Sequence, residues 1–344
     1  FWLKPCWLKL FVSSAYLSQQ PIVLPVTHWS RFAPRSEMDA NSVVTMCPEV
    51  SLHTIQHGER TVAFSTAGDP DGTPTLFFYP AGGNRRMLYV FHAPAVAASL
   101  RLICVNRPGK GGTSRAEAND PEAHTTTACH DAVAVLDALG VQQASLLFMC
   151  AGTPFALALA TARPERITGR LMGVASWVLP GDCSAAKALY RVGAALPSWL
   201  VSPIVAGACA SINGTASSLP QSMLVSAFKS DLKAREREAF DAAFPDAAAF
   251  AGKFAWMQEE SGGESKDMAV LLGTSGDVGV DYGSISGQVL LHHGEEDTMV
   301  PIVGVEWMAE QMPSATLQRL EQCSHSGALM MFHQSIADSL KMLR

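Results

Sequence analysis

The sequence predicts an α/β protein: a mostly parallel central sheet with helices on both faces and a helical insertion in the second half of the chain. Three observations lead there. From Val50 to Val174 short apolar runs alternate with helix-period segments, the pattern of parallel strands joined by crossover helices. The alternation stops after Trp177 and returns at Gln288. Of the 344 residues 48% are apolar and only 16% charged, enough to bury a large core and too little charge for disorder.

Each element has its own signal. Val50–Gln56 and Arg60–Thr66 read as strands around a turn at His57-Gly58. Thr75–Tyr79 is a short apolar, aromatic run suited to a buried strand. A Gly-Gly loop follows, then a helical stretch near Leu88–Ser99 and a strand over Leu100–Asn106, ended by Arg107-Pro108-Gly109. Thr125–Leu139 has helical spacing and stops at Gly140. Ala144–Met149 is a buried strand, Thr153–Arg163 an Ala/Leu helix ended by Pro164, and Ile167–Val174 the next strand. Between Pro180 and Gly287 the chain is Ala-rich and helix-like, with an amphipathic helix over Lys229–Phe240 and loops at Glu259–Glu264 and Gly273–Gly283. Gln288–His292 and Thr316–Leu320 are strands, Ile302–Gln311 and Gly327–Leu343 helices. The expected division is therefore a core of residues 38–179 and 287–344, with 180–286 as a helical cap.

Charge and cysteine usage exclude several classes. A net charge of −6 without a Lys/Arg-rich run disfavours nucleic acid, which needs clustered cations. Eight irregularly spaced cysteines, with no Cys-x-x-Cys, give no zinc pattern and read as free thiols in a reducing, cytoplasmic setting. No metal or cofactor motif is present: Gly109–Ser114 lacks the Ser or Thr after Lys110 that a phosphate loop needs, and Gly82-Gly83 lacks the third glycine of a dinucleotide fingerprint. Residues 1–37 precede the first methionine, Met38, and are expected to be a loosely ordered extension; Pro5 and Lys9 interrupt any apolar targeting core. No pattern specifies an oligomeric state.

The chemistry centres on Leu146-Leu147-Phe148-Met149-Cys150-Ala151-Gly152-Thr153-Pro154. A buried strand runs into a small-residue helix with a nucleophilic side chain at the turn. Gly152 supplies the small residue two positions after Cys150. Phe148 departs from the small residue expected two before, and its bulk is expected to tilt the turn. Cys150 has two readings, an inert thiol buried at a strand end or a nucleophile. Further on, Leu290–Pro301 is a strand, a Gly turn, an acid and Val-Pro opening a helix; Glu321–Gly327 is a loop bearing His325. The order nucleophile, acid, histidine favours the second reading.

With these segments the chain resembles the α/β-hydrolase superfamily from about Val50 to Arg344. Phe77–Arg85 is similar to that family's oxyanion loop, with Tyr79-Pro80 for the usual His-Gly. Asn106–Ser114 is similar to its Asp-Arg-Pro-Gly-x-Gly-x-Ser turn, with Asn106 for Asp. The resemblance implies Cys150 as nucleophile, His325 as general base and Asp297 as the acid that orients it. It also implies Ala81 and Ala151 as oxyanion N–H donors, with Gly82 beside them. Glu295 and Glu296 are rivals for the acid, but Asp297 fits the Gly-x-x-Asp-x-x-Val-Pro spacing. His292 and His293 read as structural, one of them near the site.

No charged residue occurs from Val192 to Phe228. This stretch reads as a packed cap helix, as an apolar lid, or as a membrane-associated lid; Pro197 and Pro203 oppose a spanning helix. The expectation is a hydrolase of a neutral, apolar ester, thioester or lactone through an acyl-cysteine, with a small-molecule apolar substrate as its partner. The alternative is a non-catalytic small-molecule-binding protein on the same fold. A transferase or lyase on that fold is a third possibility.

Overall fold

The computed structural model describes residues 44–47, 50–117, 120–183, 188–196, 201, 220–244, 246–260, 262–273 and 278–344. The expected extension over residues 1–37 lies outside them, as does most of the uncharged stretch, at 197–200 and 202–219.

The strands among the described residues are β1 (Val44–Cys47), β2 (Val50–His57), β3 (Arg60–Gly68), β4 (Thr73–Phe78), β5 (Leu100–Val105), β6 (Ala144–Met149), β7 (Ile167–Val174), β8 (Gln288–Gly294) and β9 (Ala315–Leu320). They form a 9-stranded sheet in the order β1-β2-β3-β5-β4-β6-β7-β8-β9. β1, β2 and β3 are antiparallel to their neighbours, and from β5 onward every pairing is parallel. All six residues of β6 are buried, as a central strand covered on both faces requires.

The core helices are α1 (His92–Ala97), α2 (Pro121–Ala138) and α3 (Thr153–Ala162), with α9 (Ile302–Gln311), α10 (His325–Leu329) and α11 (Gln334–Ser339) after the insertion. α2 begins before the periodic stretch that predicts it. Asp120 accepts a hydrogen bond from Ala123 N at 2.7 Å, and Pro121 supplies a preset first turn.

Between β7 and β8 the described residues form α4 (Ala188–Ala195), α5 (Gln221–Lys229), α6 (Ala234–Ala243), α7 (Ala247–Gln258) and α8 (Glu264–Leu272), with no strand among them. The helix expected over Lys229–Phe240 starts later, at Ala234: Lys229 ends α5, and 230–233 turn between the two helices. The Glu236 carboxylate turns back to accept from Lys233 N at 2.8 Å, and this starts α6 afresh at Ala234. The helix expected over Gly327–Leu343 is broken. Met331 takes the left-handed conformation, φ 56°, and Phe332 N donates to Gly327 O, a helix-terminating geometry.

Among the described residues no helix is long and apolar enough to cross a membrane. One glycine tests the packing of the insertion. Gly252 is exposed inside α7, with nothing within 4 Å of where a Cβ would lie. Gly252→Ala is expected to stabilise the fold by about 0.5–1 kcal/mol, because alanine loses less backbone freedom in a helix. Thermal unfolding should register this as a rise of about 1–3 °C.

Candidate active site

β6 delivers Cys150 to the carboxyl edge of the sheet, followed by a tight turn over Cys150–Gly152 and then α3. Cys150 has φ 45°, a left-handed backbone that side chains other than Gly rarely adopt. The strain is held by packing. A Cβ at Gly152 would collide with the Phe78 carbonyl of β4, so glycine is required there. Trp177 N donates both to Cys150 O and to Thr153 Oγ1. The expected tilt from Phe148 meets a compensation on the neighbouring strand. Phe148 pairs in register with Gly173, and its ring fills the space a Cβ at Gly173 would need.

His325 opens α10, and Asp297 follows β8. His325 Nδ1–H donates to Asp297 Oδ2 at 2.6 Å. Asp297 Oδ1 accepts from Met299 N at 2.7 Å and Val300 N at 2.9 Å, which fixes the carboxylate. Burial opposes charge on the His325 ring. The Asp297 carboxylate outweighs it, and the neighbouring Cys150 side chain adds to this, so the imidazole is held well above its ordinary pKa. Burial likewise opposes charge on Asp297, yet His325 keeps it below the usual carboxylate range. With Nδ1 engaged by Asp297, Nε2 is the nitrogen left to the Cys150 thiol. The structure thus brings Cys150, His325 and Asp297 together at one sheet edge.

The rival residues are placed elsewhere. Glu295 and Glu296 are exposed, and Glu296 pairs with Lys233. His293 lies beside Asp297, but its Nε2–H donates to Val300 O at 2.9 Å, and burial chiefly lowers its pKa. His292 contacts Ser339 Oγ.

The loop after β4 places Ala81, partly exposed, and Gly82, exposed with φ 73°, at the same edge. The departures from the family pattern have local reasons. The Tyr79 hydroxyl accepts from Arg107 N at 2.7 Å, and its ring lies 3.9 Å from the Arg107 guanidinium. Asn106 Oδ1 accepts from Arg85 N at 2.7 Å, while its Nδ2 donates to Glu260 Oε2 at 2.9 Å. An aspartate at 106 would face that carboxylate with a second one. Arg85 and Arg86 both pair with Glu260, and Arg86 also pairs with Glu259, so neither is free to bind an acidic ligand.

Sequence reasoning missed the residues that the insertion contributes. Glu236 on α6 is buried and accepts from Ser324 N at 2.9 Å and Ser324 Oγ at 2.7 Å; Asp231 accepts from Ser326 N at 3.1 Å. These two acids hold the loop that carries His325. Tyr190 on α4 packs its ring 4.9 Å from that of Trp177, and its pKa is raised to about 12 chiefly by burial, with smaller contributions from Cys150 and Asp297. A cavity of about 50 Å³ lies between Ala81, Gly82, Ser326 and the apolar side chains of Met87, Phe228, Phe250 and Phe254.

The sequence matches the family described as alpha/beta hydrolase fold over residues 74–329. The chain belongs to the alpha/beta hydrolase fold family. Among curated proteins none matches it. Similar solved structures include an alpha/beta hydrolase fold protein from Nakamurella multipartita, 22% identical with a TM-score of 0.58, covering 85% of this chain and 99% of that one. A 2-hydroxy-6-oxo-6-phenylhexa-2,4-dienoate hydrolase from Rhodococcus sp. strain RHA1 is 17% identical, with a TM-score of 0.55 over 82% and 94%. A structure from work on carboxylesterases of the thaumarchaeon Nitrososphaera gargenis is 14% identical, with a TM-score of 0.53 over 83% and 96%. At these identities the likeness is one of fold.

Proposed function

We propose that this alpha/beta hydrolase fold chain hydrolyses neutral, apolar esters, thioesters or lactones through an acyl-cysteine intermediate. The observation that carries the reading is the His325 ring, hydrogen-bonded to Asp297 through Nδ1 and with the Cys150 side chain near enough to help raise its pKa. Sulfur attacks the substrate carbonyl carbon while His325 takes the thiol proton. The N–H groups of Ala81 and Ala151 meet the developing oxyanion. The carbon–oxygen or carbon–sulfur bond to the leaving group breaks, and His325 returns the proton to it. Water, deprotonated by the same imidazole, then attacks the acyl-cysteine, releasing the acid and restoring the thiol. Enzymes that share the fold are named as hydrolases and carboxylesterases, which supports this reaction class.

The aromatic and methionine lining of the cavity supports an apolar substrate, and the paired state of Arg85 and Arg86 supports a neutral one. The helical insertion over 180–286 serves in this reading as the cap that lines the site. Each buried methylene contributes about 0.8 kcal/mol, roughly fourfold in kcat/KM. A cavity of about 50 Å³ has room for a few water-sized groups. In a chain-length series of aryl esters and thioesters, kcat/KM is expected to rise by about two orders of magnitude over about four methylenes and then level off. Mass spectrometry of the rapidly quenched reaction should find the acyl group on Cys150. A flat series, or faster turnover of a carboxylated analogue, would overturn the substrate class; an acyl group on another residue would overturn the mechanism.

A further inference from the structure

We propose that Arg107 is a positioning residue that sets the orientation of the oxyanion-donating peptide, and that Asp267 of the helical insertion locks it in place; this rests on the reading of Ala81 as an oxyanion donor.

The argument starts from one peptide plane. The C=O of Pro80 and the N–H of Ala81 belong to the same planar trans amide and point in opposite directions. Whatever fixes that carbonyl therefore aims that N–H. Pro80 O accepts from Arg107 Nη2 at 3.3 Å and from Gly83 N at 3.1 Å. Arg107 Nη1 takes the preceding carbonyl, Tyr79 O, at 3.0 Å. Two consecutive carbonyls of the loop are thus gripped by one rigid guanidinium, a geometry that a lysine ammonium does not reproduce.

The guanidinium has little freedom of its own. It lies between the Tyr79 ring at 3.9 Å and the Phe155 ring at 4.9 Å, and it is buried. Its Nε donates to Asp267 Oδ2 on α8 at 2.9 Å. The other Asp267 oxygen, Oδ1, is held at 3.0 Å by His124 of α2. Asp267 is buried, so this charge pair is shielded from solvent. The aim of the Ala81 N–H therefore depends on a residue of the insertion. Moving α8 off the core would release Arg107, and with it the loop.

The test uses reactions that differ in one respect. Ester turnover passes through a tetrahedral oxyanion; alkylation of Cys150 by iodoacetamide displaces iodide and needs no oxyanion donor. Arg107→Lys, shown to fold by its thermal transition, is expected to lower kcat by about a hundredfold with KM within about twofold of the parent. Its Cys150 alkylation rate should stay within about threefold of the parent. Asp267→Asn, which keeps an acceptor for Arg107 Nε, should show the same split at about tenfold, and it carries the test if Arg107→Lys does not fold. Unchanged kcat in the folded variants, or equal losses in turnover and alkylation, would overturn the inference. A parent chain in which Cys150 neither turns over esters nor reacts with iodoacetamide would instead overturn the nucleophile reading on which it rests.

Discussion

Cys150→Ala is expected to lower ester turnover by at least about a thousandfold while leaving the fold intact. The substitution removes one sulfur atom from a buried turn and introduces nothing larger. Alanine meets the same left-handed backbone strain at φ 45° that cysteine already bears. His325→Asn should cost nearly as much, because sulfur and imidazole act as one unit in passing the proton. The double variant should be no slower than either single one. Iodoacetamide should label Cys150 ahead of the other described thiols. Burial raises the pKa of Cys129 to about 12, and it pushes those of Cys104 and Cys323 up as well. Turnover that survives Cys150→Ala would retire the acyl-cysteine mechanism. Ser145 would not replace it: its hydroxyl is buried at the start of β6, bonded to Leu343 O at 2.5 Å.

The parts of this molecule legible in the sequence are those governed by local pattern. The core strands were visible as apolar runs because a strand covered on both faces is apolar at every position, as in β6. Cys150, Asp297 and His325 were visible because each follows a strand, so sequence order translates into position along the sheet edge. The insertion was less readable. Asp231, Glu236, Glu260 and Asp267 look like ordinary surface acids of polar helices and loops. Their roles depend on partners far away in the chain, Ser326, Ser324, Arg85 and Arg107. Hydrophobic periodicity carries no information about such pairs. The breaks at 230–233 and Met331 were hidden for a related reason. A carboxylate turning back on its own helix start and a left-handed non-glycine residue both leave apolar spacing unchanged. Asn106 and Tyr79 are intermediate. As departures from a family pattern they are visible in the sequence, but their reasons lie in Glu260 and Arg107.

The largest stability effect is expected at Phe148, the residue that departs most from the elbow pattern. Its side chain is fully buried close to Cys150 in the chain, in an interior strand of the sheet. Phe148→Ala is expected to cost about 3–5 kcal/mol, the transfer term of the lost ring plus the cavity it leaves. Gly173 faces it in register on β7. A Cβ at 173 would overlap the Phe148 ring and come within 2.6 Å of Ser176 Oγ and 2.8 Å of Leu291 Cδ2. Gly173→Ala alone should therefore destabilise by overpacking, by about 1–3 kcal/mol. If the two positions are a compensating pair, they must couple. Phe148→Ala removes the worst of the overlaps, and the methyl at 173 then fills part of the space vacated. The double variant should be more stable than the sum of the single losses predicts, by about 1 kcal/mol or more. Urea unfolding of the four chains gives the cycle directly. Additive losses would mean that Phe148 and Gly173 are independent, and that the turn at Cys150 tolerates a bulky neighbour for some other reason. Iodoacetamide labelling of the same four chains adds a second reading. Preserved labelling alongside reduced stability would show that the ring supports the fold around the turn without setting the reactivity of the sulfur.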